Sequence, residues 1–484
     1  MSSWLQASNW LVMLPEMIIA FFALIILLVA AFTKDSEAPY PESLAITGLA
    51  LAFISSYYIP EGVGYYGQVA VDSVSRTAFS IAILGGMLVL GVVPSQFGTD
   101  TMRSETSALV LFSLCGVGFM VTAQHLIMLF LGIELLSLPL YIMAGMRTRD
   151  PRSREAALKY FIVGAFASAL MLFGMAIYLG ANGDLLMNHF ALSFQKNAVP
   201  PTLIFFAGWI LISTAMLFKL GAVPFHMWVL DVYQGSPSSI TAFMTFAPKI
   251  AAFFALAKMW PLGSESGLST PISMMYLLSF LTMTAGNMMA LMQRNIKRML
   301  AYSSIAHGGY MLMAFLISGT EGIHALLFYL AVYALMNIGA FTVITLVAPS
   351  RDPELSIISL SGLAKTHTYL AVALAICLFS LTGLPPFGGF MAKFFLIKAV
   401  LASGNVYIAL AAIFNSLLSA YYYLRVVLVM TTREPLAADS DELISPSAGF
   451  TSIGLSSRIA LAVAIIGVVI SGISPDFFAR IISL

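Results

Sequence analysis

Charge is what this sequence lacks most. Only 9% of its 484 residues are charged and 60% are hydrophobic, with a mean hydropathy of +0.94. An ordinary soluble domain has about a quarter of its residues charged. The composition therefore predicts a polytopic membrane protein. The formal net charge of +1 and the scattered basic residues offer no surface for nucleic acid, so that class of partner is set aside.

Cysteine is also scarce. Cys115 and Cys377 are the only two, in different apolar segments, whereas an iron–sulfur cluster needs about four thiolates. No spaced Cys/His set of the zinc type and no G-x-S-x-G nucleophile elbow occurs. Gly62, Gly64 and Gly67 fit G-x-G-x-x-G, but they fall in a short loop between predicted membrane helices, where no dinucleotide site is expected. We therefore expect no redox cofactor and no metal in this chain.

Long apolar runs are what the sequence has instead. A membrane helix needs about 20 predominantly apolar residues. Fourteen segments approach or exceed this length: residues 10–32, 41–59, 74–93, 106–123, 125–146, 155–180, 202–235, 238–258, 270–292, 299–318, 322–347, 366–402, 405–431 and 455–475. The first is too long for a signal-peptide core and lacks a basic leader, so we expect it to be retained as the first helix.

The basic residues predict the orientation of these segments. They concentrate in the loops after the first, third, fifth, ninth, eleventh and thirteenth segments, and such loops mark the cytoplasmic side. They are Lys34, Arg103, Arg147, Arg149, Arg152, Arg154, Arg294, Lys297, Arg298, Arg351, Lys365 and Arg433, and the exceptions elsewhere are Lys196, Arg76 and Lys258. Because an even number of spans returns the chain to its starting side, both termini are predicted to lie on the outer side.

Two of the segments are too long to be single membrane helices. At about 1.5 Å per residue, Thr202 to Gly235 would extend roughly 50 Å, well beyond a hydrocarbon core of about 30 Å. This segment contains the Gly/Pro interruption "KLGAVPFHMW", and residues 366–402 contain "LTGLPPFGGFMAKFF". Interruptions at corresponding positions of two halves indicate a transport site, because unwound turns free backbone groups to hold water or ions.

The spacing of the two breaks predicts inverted repeats of five helices each, comprising segments four to eight and nine to thirteen. Four regions follow from this division. They are an N-terminal three-helix segment (1–105), a first repeat (106–260), a second repeat (268–431), and a cytoplasmic loop with the final helix (432–484).

Glu134 and Lys219 are the first pair of ionisable residues inside predicted membrane segments. A charged group at the bilayer centre costs about 2.5 kcal/mol or more, so such residues persist mainly where they face a protein interior or a water-filled path. A lone carboxylate there is expected to take up a proton unless a cation is close. Lys219 precedes the first break, and we expect it to pair with Glu134, either as a functional switch or as a structural ion pair.

Five further residues are candidates for proton transfer. Lys249 lies at the centre of the eighth segment and Lys393 in the second broken one. Burial disfavours the charged form of a lysine, which can then exchange its proton near neutral pH; the alternative is an ammonium that snorkels to the headgroups. Lys159, close to an arginine-rich loop, is more open to that alternative. His226 and His307 are either relays that connect lysines through water or hydrogen-bonded packing residues.

Several stretches together resemble a known family. They are "LFLGIELLSLPLY", "EAALKYFIVGAFASALMLFGMAIY", "FKLGAVPFHMWVLDVYQGSP", "NIKRMLAYSSIAHGGYML" and "GLPPFGGFMAKFFLIKAVL". They look like the antiporter-like subunits of respiratory complex I, and the resemblance covers nearly the whole chain. It is weakest before about Thr106 and in the loop from Pro435 to Ser457. The "DVYQGSP" sequence points to one particular subunit, since the sister subunits M and L usually carry a different version.

This resemblance implies a role for each candidate residue. Glu134 and Lys219 resemble the family's Glu/Lys pair, Lys249 its central relay lysine, and Lys393 the lysine that leads to the outside. Lys159, His226 and His307 resemble accessory members of the same polar axis. The implied mechanism is electrostatic, because bringing Glu134 towards Lys219 favours the protonated lysine and separating them sends the proton onward.

The resemblance also implies the setting of the chain. NADH oxidation and quinone reduction, with FMN, iron–sulfur clusters and quinone, would belong to other subunits, so that enzyme activity would be a property of a proton-translocating complex. The expected partners are lipid, the antiporter-like M and L subunits and the small K and J subunits. The expected location is the inner membrane of a bacterial cell, with both termini on the periplasmic side.

Other functions remain open at this point. A subunit of a multisubunit cation/proton antiporter or of a membrane-bound hydrogenase would share the same core. A structural spacer, whose buried charges serve only assembly, is a different class. A stand-alone solute carrier is less favoured, because no cluster of polar residues suited to a solute is visible.

Overall fold

The computed structural model describes residues 9–32, 40–98, 102–193, 202–260, 269–347, 355–432 and 454–481. Nearly all of these residues are helical. The only strands among them are β1 (Gly62–Gly64) and β2 (Val69–Val71), which pair antiparallel as a short hairpin. The predicted all-α membrane fold is confirmed. Lys34, Lys196, Arg351, Arg433 and most of the predicted cytoplasmic loop after residue 432 lie outside the described residues.

The described part of the chain contains nineteen α-helices. They are α1 (Leu14–Phe32), α2 (Pro41–Tyr58), α3 (Ser73–Phe97), α4 (Met102–Thr122), α5 (Leu126–Ala144), α6 (Pro151–Asn182), α7 (Asn188–Ser193), α8 (Leu203–Leu220), α9 (Met227–Gly235), α10 (Ser238–Met259), α11 (Ser269–Leu291), α12 (Ile296–Leu312), α13 (Glu321–Val347), α14 (Leu363–Thr366), α15 (Thr368–Thr382), α16 (Gly388–Ala402), α17 (Val406–Thr432), α18 (Leu455–Ile473) and α19 (Pro475–Ile481). Short 3-10 helices lie at Trp10–Met13, Tyr65–Gly67, Met313–Leu316 and Ile357–Leu360.

Each predicted membrane segment corresponds to one of these helices or to a pair of them. Twelve helices of the described chain are long and apolar enough to cross a membrane. The two other predicted segments are α2, which is less apolar, and residues 366–402, which form the shorter helices α15 and α16. The relation between the two predicted repeats stays a prediction.

Three helices form the centre of the bundle. The apolar windows of α10, of α12 with its 3-10 extension, and of α13 are 94%, 100% and 89% buried. Those of α1, α6, α11, α17 and α18 are only 33–39% buried, so these helices lie at the periphery and turn most of their surface outward. A polar side chain on a central helix is therefore enclosed by protein and separated from the lipid.

Both predicted helix breaks are present. Gly221 ends α8 with φ 67° and Gly383 ends α15 with φ 89°, and the following helices α9 and α16 begin only after a proline-containing turn. A left-handed backbone of this kind is readily adopted by glycine but strained for other residues. The sequence therefore stops each helix at a defined residue, and the adjacent carbonyl groups are left inside the bundle.

Helices α4 and α5 approach each other at two glycines. A Cβ atom at Gly116 would lie 2.4 Å from the backbone nitrogen of Leu136 and 2.7 Å from the carbonyl oxygen of Gly132. These are backbone atoms, which cannot rotate away as a side chain can. The close contact fixes α5, and with it the face that carries Ser137 and Tyr141, against α4.

We expect Gly116→Ala to lower the midpoint temperature at which this subunit unfolds, measured in the purified complex. Overpacking of this kind costs about 1–3 kcal/mol. Gly180→Ala in α6 is the matched control, because a Cβ at Gly180 would meet nothing within 4 Å; this change should be neutral or slightly stabilising. Thermal denaturation in detergent measures both. Equal midpoints would mean that α4 and α5 separate here without cost.

Candidate functional site

Four lysine side chains of the described chain are buried. Lys297, 2% exposed at the start of α12, donates to the carbonyl oxygen of Ser236; the other three lie inside the predicted membrane segments. Lys219, in the last turn of α8, is 4% exposed, Lys249 in α10 is 3% exposed, and Lys393 in α16 is 5% exposed. Lysines are almost never fully buried unless they have a partner. The groups that contact the three ammonium ions therefore define the chemistry of the site.

Lys219 is held by hydroxyl groups of α5. Its Nζ donates to Ser137 Oγ at 2.6 Å and to Tyr141 OH at 3.3 Å. The same nitrogen lies 5.4 Å from the ring centroid of Tyr141 and 5.8 Å from that of Tyr160, within the range of cation–π attraction. Tyr160 is itself stacked on Trp228 of α9, with centroids 4.6 Å apart. The first helix break thus helps to build the site around this lysine.

Glu134 does not contact Lys219, contrary to the expected ion pair. Its Oε1 accepts a hydrogen bond from Ser168 Oγ of α6 at 2.5 Å, and no ion pair within 4 Å joins it to Lys219 in the described structure. Glu134, Ser137 and Tyr141 lie on the same side of α5. The two hydroxyl groups reach the lysine, whereas the partly exposed Glu134 directs its carboxylate to α6. Ser137, one turn from Glu134, therefore binds Lys219 in place of the carboxylate.

Lys249 is bound by the helices on either side of α10. Its Nζ donates to the carbonyl oxygen of Ser304, to Ser304 Oγ at 2.7 Å and to Tyr333 OH at 3.4 Å. Tyr333 OH in turn donates to Ser304 Oγ at 2.9 Å. The serine hydroxyl is thus shared between an ammonium and a phenol, an arrangement in which the direction of hydrogen bonds can reverse.

A proline shapes the backbone beside Lys249. Pro248 lies inside α10 and has no N–H to donate to the carbonyl oxygen of Met244. That oxygen instead accepts from Tyr233 OH at 3.2 Å. Tyr233 OH also lies 3.4 Å from Ser304 Oγ. The polar network around Lys249 therefore extends to α9, in the second half of the first broken segment.

Gly308 leaves space between the first two lysines. A Cβ atom added to this residue of α12 would lie 3.6 Å from the carbonyl oxygen of Leu220 and 3.8 Å from Lys249 Nζ. Leu220 directly follows Lys219 and ends α8. These are ordinary van der Waals distances, so Gly308 leaves a space of about one methyl group between the end of α8 and the ammonium of Lys249.

His307 continues the network on the other side of Lys249. Its Nδ1 is 2.8 Å from Tyr329 OH and its Nε2 is 3.4 Å from Tyr423 OH. Tyr423 also hydrogen-bonds Ser303, the neighbour of the serine that binds Lys249. His307 is 2% exposed, and it directly precedes Gly308, where an added Cβ would lie 3.8 Å from Lys249 Nζ. The hydrogen-bond network of His307 therefore adjoins the site of Lys249.

Lys393 binds the end of the half-helix that precedes the second break. Its Nζ donates to the carbonyl oxygens of Leu381 at 3.2 Å and Thr382 at 2.8 Å, and to Ser416 Oγ of α17 at 3.1 Å. It lies 4.9 Å from the ring centroid of Tyr310. The last carbonyls of a helix have no intrahelical donor and carry partial negative charge, so a cation is favoured here.

The other two candidates make no hydrogen bond to Lys219, Lys249 or Lys393 in the described structure. Lys159 is ion-paired at 2.6 Å with both Glu155 and Asp231, and Arg298 also binds Asp231, at 3.2 Å. The Lys159 side chain is 44% exposed, so it belongs to a partly solvated charge network that joins α6, α9 and α12. His226 immediately precedes α9 in the first break, and its buried Nδ1 has no hydrogen-bond partner among the described residues.

The hydroxyl partners of the lysines were not predicted from the sequence. Ser137 and Tyr141 follow Glu134 at helical spacing, and Ser303 and Ser304 precede His307 in the same way. That spacing on one helix face is a usable signal. Tyr423 of α17, which hydrogen-bonds both His307 and Ser303, comes from a distant part of the chain and has no such signal.

No group of three or more His, Cys, Asp or Glu side chains that could hold a metal ion occurs among the described residues. Cys115 and Cys377 are both buried and free. The chemistry that the site offers is therefore acid–base chemistry of lysine, histidine and hydroxyl groups, arranged along the centre of the bundle.

Buried lysines at two broken helices, within a bundle of this size, define an antiporter-like membrane subunit. The family described as "NADH:quinone oxidoreductase/Mrp antiporter, TM" matches residues 123–419. The chain belongs to this family.

Individual relatives are consistent with this. NADH-quinone oxidoreductase subunit N of Cytophaga hutchinsonii is 41% identical over 418 residues, covering 86% of this chain and 88% of the relative. The subunit N of Rhodospirillum rubrum is 36% identical over 470 residues and 95% of each chain. A chain of respiratory complex I from Thermus thermophilus matches with a TM-score of 0.81 and 31% identity, covering 96% of this chain and 98% of that one. The expected resemblance to subunit N is confirmed.

We expect Tyr329→Phe to destabilise the centre of the bundle. The change leaves the buried Nδ1 of His307 without its partner, at a cost of about 1–3 kcal/mol. Tyr407→Phe is the control, because Tyr407 is 83% exposed. Thermal denaturation of the purified protein compares the two variants. If Tyr329→Phe behaves like the control, the bond between His307 and Tyr329 contributes nothing to stability.

Proposed function

We propose that the chain translocates protons as a membrane-arm subunit of an NADH:quinone oxidoreductase. Lys219, Lys249 and Lys393 are the stations of the proton, and Glu134 controls the first of them. His307 connects the second and third stations, while His226 and Lys159 are accessory groups. The translocase activity belongs to the whole complex, and this chain contributes the proton path without a redox centre of its own.

One observation carries this proposal. The described partners of the Lys219, Lys249 and Lys393 ammonium groups are hydroxyl groups, carbonyl groups and aromatic rings, with no carboxylate in contact. A structural ion pair would fix the charge of each lysine with an acidic partner. Neutral hydroxyl groups both donate and accept, so they bind the lysine with or without its extra proton. A snorkelling lysine would extend to the membrane surface, whereas these three are 3–5% exposed.

The path has two short connections. Between Lys219 and Lys249 the space beside Gly308 takes water. Between Lys249 and Lys393 the hydroxyl groups of Ser304 and Ser303 lead through Tyr423 to His307. Each hydroxyl group receives a proton on one side as it gives one up on the other. The transfer reverses the direction of its hydrogen bonds, and the O–H group rotates back before the next proton arrives.

Glu134 acts on Lys219 through its distance. With its carboxylate on Ser168, it leaves the lysine unpaired. Moving the carboxylate to about 4 Å from the ammonium would stabilise the charged lysine by about 4 kcal/mol at an effective dielectric constant of about 20. Moving one charge against about 150 mV costs roughly 3.5 kcal/mol. The two energies are similar, so the approach and withdrawal of Glu134 suffice to drive a proton against the membrane potential.

The setting of the subunit follows from the same proposal. The M and L subunits and the small K and J subunits are its neighbours, and FMN, iron–sulfur clusters and quinone are held by other subunits. The chain lies in the bacterial inner membrane with both termini on the periplasmic side. A cation/proton antiporter or hydrogenase subunit is not favoured, since the relatives compared above are subunits of NADH-quinone oxidoreductase.

The test is the number of protons moved per electron in the assembled complex. Lys249→Ala should lower this ratio or abolish coupled turnover, because the path loses its central station. Lys398→Ala is the control, since Lys398 lies on α16 with Lys393 but is exposed. Proton uptake by inside-out membrane vesicles is recorded together with NADH oxidation. If the fully assembled Lys249→Ala complex moves as many protons per electron as the wild type, the proposal is wrong and the chain is better explained as a structural spacer.

A second test uses two glycines with the same backbone conformation. Gly383 has φ 89° and Gly404 has φ 81°, so alanine is strained at both. Only at Gly383 would the new Cβ approach Lys393, at 3.0 Å from Cδ and 3.4 Å from Nζ, whereas Gly404 has open space. Gly383→Ala should therefore reduce proton translocation several-fold more than Gly404→Ala. Equal effects would show that only backbone strain matters.

A further inference from the structure

A small cavity lies among the N-terminal helices, away from the lysine axis. Its volume is about 20 Å³, and its wall includes Glu16, Ser56, Val71, Ser75, Arg76 and Thr122. These residues come from the beginning of α1 and α3, the end of α2 and α4, and the β-hairpin. The cavity is therefore near one end of the bundle, and with the predicted orientation this is the periplasmic end.

Two polar atoms of opposite character are left free in this wall. Glu16 Oε2 and Arg76 Nε are both buried and have no hydrogen-bond partner among the described residues. Glu16 is only 2% exposed, and Arg76 uses its Nη2 to donate to the carbonyl oxygen of Ile59 at 2.7 Å. A buried polar group without a partner costs about 1–3 kcal/mol. One molecule in the cavity that both accepts from Arg76 Nε and donates to Glu16 Oε2 would satisfy both atoms.

The cavity is suited to one water molecule. A water needs about 10–15 Å³ and two to four polar partners, and this space exceeds that volume by little. Arg76 Nε–H can donate to the water, which can donate to Glu16. The hydroxyl groups of Ser56 and Thr122 already donate to carbonyl groups at 2.7 and 2.8 Å, so their oxygens are available as acceptors.

No cation in the described part of the chain contacts Glu16 directly. On α4, the Cys115 thiol donates to the backbone carbonyl of Glu16 at 3.6 Å and leaves the carboxyl group free. On α10, Lys258 Nζ binds the carbonyl oxygens of Val121 and Ala123 at 2.6 and 2.9 Å. Among the described residues, Arg76 of α3 is therefore the charged group that faces the carboxyl group across the cavity.

A second buried glutamate on the same helices gives the contrast. Glu42 at the start of α2 is 5% exposed, and Arg103 donates to its two oxygens at 2.6 and 2.8 Å. Such a bidentate pair holds the carboxylate in its charged form. Glu16 has no bond of this kind, so its protonation state is not fixed by the protein.

We propose that Glu16, Arg76 and one water in this cavity form a second proton-binding site of the chain, outside the lysine axis. The proton comes from solvent at this end of the bundle and passes to the bridging water, which gives one to Glu16 Oε2. An O–H bond forms on the carboxyl group as one breaks on the water, and the reverse transfer releases the proton. No electron moves.

Infrared difference spectroscopy of the assembled complex, between acid and neutral pH, tests this site. The wild type should show a carboxylic C=O band that disappears in Glu16→Gln and persists in Glu42→Gln. Val71→Ile adds a methylene group to the cavity wall and should slow the shift of this band in heavy water at least several-fold, because water is excluded. A band that survives in Glu16→Gln, or an unchanged exchange rate in Val71→Ile, would overturn the proposal.

Gly118→Ala keeps the experiment decisive if Glu16→Gln does not assemble. A Cβ at Gly118 would lie 2.7 Å from both Cγ and Oε1 of Glu16, so it displaces the carboxyl group without removing it. The band should then change in frequency. Gly180→Ala serves as the control because it meets no neighbour. An identical band in both variants would assign it to another carboxyl group and refute the site.

Discussion

The constraint on which the structure depends is the burial of three ammonium groups where little water reaches. Taking an ion out of water costs several kcal/mol even after the protein relaxes. The bundle offsets this cost with oriented dipoles: hydroxyl groups around Lys219 and Lys249, and the last carbonyls of α15 around Lys393. Because no opposite charge is in contact, the free-energy difference between the charged and the neutral form of each lysine stays small. A site that stabilised the charged form more strongly would never release the proton.

The broken helices supply part of these dipoles. A continuous helix would satisfy its own carbonyl groups, whereas a helix that ends inside the bundle presents them to a side chain. Glycine stops each half-helix and proline prevents its immediate continuation. Pro248 has a related effect within α10, because it frees a carbonyl group that Tyr233 then binds. The two helix breaks and the proline in α10 are thus enclosed by other helices, as expected for irregular backbone within a membrane.

The sequence predicted the membrane class, the approximate position of every segment and both breaks, because apolar length and Gly/Pro interruptions are local properties. It also identified Lys219, Lys249 and Lys393, since a charge inside an apolar run is visible without a structure, but it assigned the buried Lys297 to a loop. It did not predict which side chains bind them. The contacts of Lys249 with Ser304 and Tyr333 join residues far apart in the chain, and serine and tyrosine are common in helices for other reasons. A direct contact of Glu134 with Lys219 was expected from charge alone, yet the carboxylate binds Ser168 of α6, a partner that the sequence did not indicate.

Lys393 has a consequence for the mechanics of the bundle. Its ammonium completes the hydrogen bonding of the final turn of α15, a task that a loop residue usually performs. Losing the proton removes charge from that contact and weakens the hold on the turn. By thermodynamic reciprocity, any displacement of the turn must change how tightly the lysine binds its proton. Under the proposed function, a mechanical strain that reaches α15 from a neighbouring subunit would change the proton affinity of Lys393, and an arriving proton would exert a force on α15.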